Sequence, residues 1–158
     1  MAVDMFLKID GIEGESKDDK MGGQIHIDSF SFGVEQVGTA ESGGGLGAGK
    51  AKFEDFEFTM PTQKASPKIY AACASGKHIK QAVLSIRKAG GKQEIYLKHT
   101  FSDLLISSFR TANGEPQPTD TVKFNFVKLA TEYKEQLATG GLGGTTAASW
   151  DLKANKGT

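Results

Sequence analysis

Ile25-His26-Ile27-Asp28-Ser29-Phe30-Ser31-Phe32-Gly33 alternates apolar and polar side chains, but its large apolar residues fall on odd positions before Asp28 and on even positions after it. Alternation with a period of two is the mark of a half-buried strand. A change of phase inside such a strand throws side chains onto the opposite face unless an extra residue is absorbed. The stretch therefore predicts a strand bent near Asp28-Ser29. The same slip recurs where Phe53 is followed by Phe56 and Phe58, and where Phe126 is followed by Val127 and Leu129. Bulges or corners are accordingly expected at Glu54-Asp55 and Phe126-Val127. Bent strands of this kind suit a barrel or a tightly packed sandwich.

Outside this stretch the alternation continues. Met5, Leu7 and Ile9 share a face, as do Ala82, Leu84 and Ile86; Ile95, Leu97, His99 and Phe101; Val122, Phe124 and Phe126; and Trp150 with Leu152. About eight strands are expected from these signals. Twenty glycines against four prolines make the chain turn-rich rather than disordered, with the longest loops predicted at 38–50 and 140–149. Only Lys64 to Gly76 reads as a helix, with Ser66 as its N-cap, Pro67 in the first helical position and Gly76 as its stop. Ile69, Ala72 and Cys73 give that helix one apolar face, which makes Cys73 a packed small hydrophobe. With 158 residues, no internal repeat and no linker, residues 1–158 are expected to form a single domain.

Composition removes several function classes. Lys plus Arg number 19 and Asp plus Glu number 19, so no excess positive charge exists to drive binding to nucleic acid or an acidic membrane. The same neutrality removes the long-range repulsion between identical copies, which permits self-association. The single cysteine, Cys73, has no intramolecular disulfide partner, and with three scattered histidines it falls short of a structural zinc site. The first ten residues carry Asp4 inside their apolar run and no cationic leader, and no apolar stretch approaches the length of a membrane span. The expectation is a chain made in the cytoplasm, not inserted in a membrane, and exported, if at all, without an N-terminal signal.

The candidate chemistry is thin. Gly44-Gly45-Leu46-Gly47-Ala48-Gly49-Lys50 meets the GxxxxGK part of a phosphate-cradling loop, but Ala51 stands where a Mg²⁺-ligating hydroxyl belongs. Such a loop also runs from a buried strand into a helix, whereas Ala51 to Thr59 alternates as a strand. Six glycines between Gly38 and Lys50 produce the match by composition. His26, His78 and His99 lack metal-ligand spacing, and Cys73 with His78 lacks the accessible, activated thiolate of a nucleophile. No catalytic, cofactor or metal site is expected, and the protein is read as a non-enzyme. A small-ligand barrel lined by the aromatics and a nucleotide-binding protein remain the alternative readings.

Word order along the whole chain carries a further signal. Ala2 to Lys17, Lys64-Ala65-Ser66-Pro67 followed by Ser75-Gly76-Lys77-His78-Ile79, and Ile86-Arg87-Lys88-Ala89-Gly90-Gly91 resemble the haemolysin-coregulated protein (Hcp) family. So do Tyr96-Leu97, Phe124-Asn125-Phe126 and Trp150 to Asn155, and the resemblance runs from about residue 2 to residue 156. One departure is that Phe30 and Phe32 stand where many members carry tryptophans around a serine.

The resemblance implies a mainly β fold, a two-sheet β-barrel with one short flanking α-helix, similar to phage tail tube proteins. It implies the tube subunit of the bacterial type VI secretion system, with hexameric rings stacked into a hollow tube inside a contractile sheath. The implied partners are further copies of the chain, a VgrG-type spike, sheath and baseplate proteins, and small effectors carried in the lumen. Burying Phe30 and Phe32 turns Ser31 outward, and the resemblance suggests that this outward face lines the channel and contacts effectors. Gly43, Gly44, Gly45, Leu46 and Gly47 are expected to form a contact loop between subunits or rings, since glycines permit backbone conformations closed to other residues.

Overall fold

The structure, a computed structural model, describes residues 3–36, 50–90 and 92–158. Eleven strands and one helix follow in the order β1 (Val3–Ile9), β2 (Ile25–His26), β3 (Ser29–Ser31), β4 (Val34–Gln36), β5 (Ala51–Phe53), β6 (Phe56–Pro61), α1 (Ser66–Ser75), β7 (His78–Lys88), β8 (Ile95–Ala112), β9 (Thr119–Gln136), β10 (Leu142–Asp151) and β11 (Lys156–Gly157). Nine strands form one antiparallel sheet in the order β11-β10-β9-β8-β7-β1-β2. In that sheet β6 also pairs with β9, and β3 with β6, while β4 and β5 form a separate two-stranded sheet. The architecture is mainly β with a single short helix, as expected.

The sheets are not closed into the expected barrel. The physical reason lies in the quoted stretch, where the bend at Asp28 interrupts the strand and changes its pairing partner. The Ile27 N–H still donates to the Met5 carbonyl on β1, whereas the Asp28 N–H donates to the Thr59 carbonyl on β6. The two ends of the ladder are thus joined through a corner of the chain and not through a continuous run of paired strands. The break at Glu54-Asp55 likewise separates β5 from β6.

The third slip involves two strands. Around Phe126-Val127 the buried positions of β9 change phase, and those of β8 do so opposite it, from His99 and Phe101 to Leu104 and Ile106. Asp103 sits at this corner with φ of 56°, a left-handed conformation that non-glycine residues seldom adopt. Because both strands turn over together, Ser102 still faces Lys128 and Leu104 still faces Phe126. A separate bulge interrupts the β8–β9 register between Ile106 and Ser108.

Two local expectations are corrected. Residues 140–149 do not form a loop, because β10 begins at Leu142 and pairs with β9 through Asp151, with a register shift between Leu142 and Thr145. From Gly143 to Ser149 the strand carries only small side chains, mostly exposed on both faces, so no alternation announces it. Ser66 is the first residue of α1 and not its N-cap; Ala65 occupies the cap without a side-chain bond. The Ser66 hydroxyl instead donates to the buried Asp120 carboxylate, which also accepts from the Thr62 hydroxyl at 2.7 Å. The C-terminal reading holds: Gly76 takes φ of 65°, and its N–H donates to the last carbonyls of the helix.

Ile69 and Ala72 of α1 are buried, with Cys73 packed beside them. The centre of the core is a phenylalanine cluster. Phe56, Phe58, Phe101 and Phe124 are fully buried, and Phe56 lies 4.7 Å from Phe101 and 4.9 Å from Phe124 between ring centroids. These rings fill the space enclosed by β3, β6, β8 and β9.

Candidate functional site

Ser31 stands on β3 opposite Glu57 of β6, which is opposite Lys123 of β9, which is opposite Ser108 of β8. On the inner side, Phe30 of β3 packs on Phe56 at 5.9 Å, and Phe32, just past the end of that strand, meets His99 at 5.1 Å and Phe101 at 6.0 Å. The aromatic pull inward leaves Ser31 exposed. Around it the outward face is hydrophilic. Ser29 and Thr59 share a hydroxyl–hydroxyl bond of 2.6 Å, Glu57 and Lys123 form an ion pair at 3.8 Å, and the Ser107 hydroxyl donates to Asp55 at 2.6 Å.

Beneath this face lies His99, buried among Phe30, Phe32 and Phe101, with Nδ1 2.8 Å from the Thr131 hydroxyl. Burial holds its pKa below the ordinary histidine range, because the surrounding rings disfavour the charged imidazolium. His99 is a packing and hydrogen-bonding group in this setting.

The predicted contact residues Gly43, Gly44, Gly45, Leu46 and Gly47, with the rest of the GxxxxGK match up to Gly49, lie outside the described residues. Lys50 leads into β5, a strand, where a phosphate-cradling loop would open a helix. Next to β4 and β5 is an apolar groove of about 400 Å³ lined by Val34, Ala51, Phe53, Leu129 and Trp150.

Among the described residues, no three His, Cys, Asp or Glu side chains are grouped as metal ligands. His26 lies 3.9 Å from Asp4, and His78 lies 3.3 Å from Asp103. Arg87 on β7 is buried; it grips Asp18 through both terminal nitrogens, reaches Asp4 at 3.5 Å and lies 4.9 Å over the Phe6 ring. The Arg87 hydrogen bonds hold the Asp18 carboxyl well below the usual carboxylate range. Asp18 also accepts the N–H groups of Lys20 and Met21, so the pair pins the segment between β1 and β2 onto the sheet. This is a structural clamp.

Residues 6–133 match the family described as "Type VI secretion system effector, Hcp". The chain belongs to the Hcp family. It is 42% identical over 159 residues to the protein hcp1 of Pseudomonas aeruginosa, covering 98% of both chains. A solved structure of a type six secretion system protein superposes with a TM-score of 0.94 at 30% identity, over 99% of this chain and 100% of the other. Hcp1 from Salmonella typhimurium gives 0.84 at 39% identity, over the whole of both chains. The chain is therefore a type VI secretion tube and effector protein, and neither the small-ligand nor the nucleotide-binding reading is favoured. Hcp proteins are secreted structural components of that system that form rings and tubes.

Alternation in the sequence turned Ser31 outward, and the structure leaves it exposed. Sequence reasoning missed the Glu57–Lys123 pair, because cross-strand register is a long-range property, and it missed the Arg87 clamp, whose partners lie 69 residues apart in sequence.

Proposed function

We propose that this Hcp chain acts as the wall element of a secretion tube: six copies close into a ring, rings stack inside a contractile sheath on a baseplate, and a VgrG-type spike caps the stack. Small effectors travel in the channel against the Ser31 face. The chain works as one domain across residues 1–158, without catalysis or cofactor, and passes from the bacterial cytoplasm to the outside. Gly43 to Gly47 contact the neighbouring subunit or ring.

The observation that carries this reading is the filled interior. Phe56, Phe58, Phe101 and Phe124 occupy the centre of the fold at ring separations of 4.7 to 6.5 Å, so the space between the strands is taken by the protein's own side chains. A passage for cargo must then lie between copies, and a closed cyclic ring is the symmetric way to make one.

Size-exclusion chromatography with light scattering, followed by negative-stain microscopy, tests it. The expected result is a particle of about six times 16.8 kDa with a central hole; a monodisperse monomer throughout the micromolar range overturns it. Ser31→Arg should leave rings intact and reduce export of a lumen-borne effector, and normal export would remove Ser31 from the channel. Replacing Gly43, Gly44 and Gly45 together should weaken stacking or secretion.

A further inference from the structure

Asn113-Gly114 opens the connection between β8 and β9, just beyond the last cross-strand pair of Ala112 with Thr119. Asn113 is exposed and Gly114 half-buried. A Cβ at Gly114 would lie 2.6 Å from the Gln117 carbonyl oxygen and 3.0 Å from the Thr119 hydroxyl oxygen, so a side chain there would push the main chain apart. Close approach of backbone requires glycine at this position. The far side of the connection is tied to the fold where the Pro118 carbonyl accepts the Thr62 N–H at 3.0 Å. Among the described residues, the Gly114 N–H donates to no backbone carbonyl. The turn thus leaves an amide nitrogen with no side chain to shield it, directly after an asparagine that faces water.

We infer that Asn113-Gly114 is a self-modification site, where the chain converts its own asparagine to aspartate and isoaspartate through a cyclic imide. The Gly114 nitrogen gives its proton to solvent base and attacks Cγ of Asn113. The N–Cγ bond closes a five-membered ring, the Cγ–Nδ2 bond breaks, and Nδ2 takes up a proton and leaves as ammonia. Because both reacting groups belong to adjacent residues, the attack is intramolecular and gains from their enforced proximity. Water then opens the ring and returns a proton to the Gly114 nitrogen. Addition at Cγ gives aspartate, whereas addition at the main-chain carbonyl gives isoaspartate, whose backbone runs through Cβ and Cγ. The sum is an amide plus water giving a carboxylic acid plus ammonia, and the acid ionises at neutral pH. Each event adds a negative charge beside the exposed Glu115. The chemistry needs only the single chain, so it stands apart from the tube reading.

The other asparagines are placed differently. Asn125 lies inside β9 opposite Leu105, and the residue after it is the buried Phe126. Asn155 is followed by Lys156, which carries a long side chain and pairs with Asp151. Neither offers an unshielded nitrogen in an exposed turn, so the change should be confined to Asn113.

The test keeps the full chain in warm, mildly alkaline buffer, samples it over weeks against an unaged control, and maps tryptic peptides by mass spectrometry. The peptide from Thr111 to Lys123 should progressively lose its amide and gain the mass difference between amide and acid, with fragmentation placing the change on Asn113 and not on Gln117. Isoaspartyl methyltransferase, used as a reagent, should label part of that product. The peptide from Phe124 to Lys128, which carries Asn125, should keep its mass. Ion exchange of the intact chain should show a more acidic species growing in step, faster in alkaline than in mildly acid buffer. Asn113→Gln, at an exposed position and needing a six-membered ring for the same attack, should suppress both signals. A Thr111 to Lys123 peptide that keeps its amide as long as Asn125 does overturns the inference. Aspartate formed with no isoaspartate overturns the cyclic route, and an acidic species that grows equally in Asn113→Gln overturns the assignment. Light scattering on the same samples records rings or monomers, so a failure of the ring reading shows there and not in the masses.

Discussion

The two ends of β9 differ as though they belonged to separate proteins. From Thr119 to Phe126, Asp120, Val122, Phe124 and Phe126 are buried in strict alternation, and β6 and the first turn of α1 cover them. From Ala130 to Gln136 no residue is buried; beside β8, the second neighbour there is β10 and not β6, Gly144 to Ala148 of β10 are exposed, and Tyr133 is 43% exposed. The corner at Val127, opposite Asp103, divides the two regions. One end spends its large apolar side chains on its own core. The other is held by ladder hydrogen bonds and leaves its faces uncovered, as expected of a surface that meets other copies.

The largest effect should come from the core end. Phe124→Ala should cost about 3–5 kcal/mol in urea unfolding, whereas Tyr133→Ala at the other end should cost far less. Equal losses would break the comparison. Asp120→Ala should come next, at about 1–3 kcal/mol, because the hydroxyls of Thr62 and Ser66 lose their shared acceptor. A thermal melt followed by near-ultraviolet circular dichroism would register the loosening of α1.

At the dividing corner, Asp103→Val should destabilise by about 1–2 kcal/mol, since a β-branched residue resists positive φ, while Asp103→Gly should be close to neutral. If the two behave alike, the backbone at the corner is not constraining. His99, just past the corner, gives a pH signature. Its folded pKa lies below 6.5, so the unfolded chain binds the proton more readily. Stability from this group should be full above pH 6.5 and fall as pH drops from there through the folded pKa; His99→Gln should remove that slope from a pH series of urea melts. Asp18 and Asp151, whose pKa values lie below 3.8, should contribute losses only in more acid solution. The smallest effect belongs to β10: Thr146→Lys should change stability of the dissociated chain by about 0.5 kcal/mol or less, and a larger change would show that this end carries part of the core.

Much of the fold was legible where side-chain volume writes a pattern. The phase slips around Asp28, Glu54 and Val127 marked where strands bend or break, and Pro67 and Gly76 bracketed the helix. β10 was illegible because Gly143 to Ser149 has no large apolar residue to alternate, and its conformation comes from pairing with β9. Ser66 illustrates the same limit: its position suggested a cap, but a partner 54 residues away claimed its hydroxyl.

The sequence by itself determined the β character of the chain, its family, and the inward–outward assignment of Phe30, Ser31 and Phe32, because these depend on local periodicity and on the order of short motifs. Tertiary structure alone decided that the ladder stays open at Asp28, that Arg87 clamps Asp18, and that Ser31 shares its face with Glu57 and Lys123. Each of these is a contact between residues distant in the chain, set by strand register and by the packing of the phenylalanine core, and no local window of sequence contains both partners.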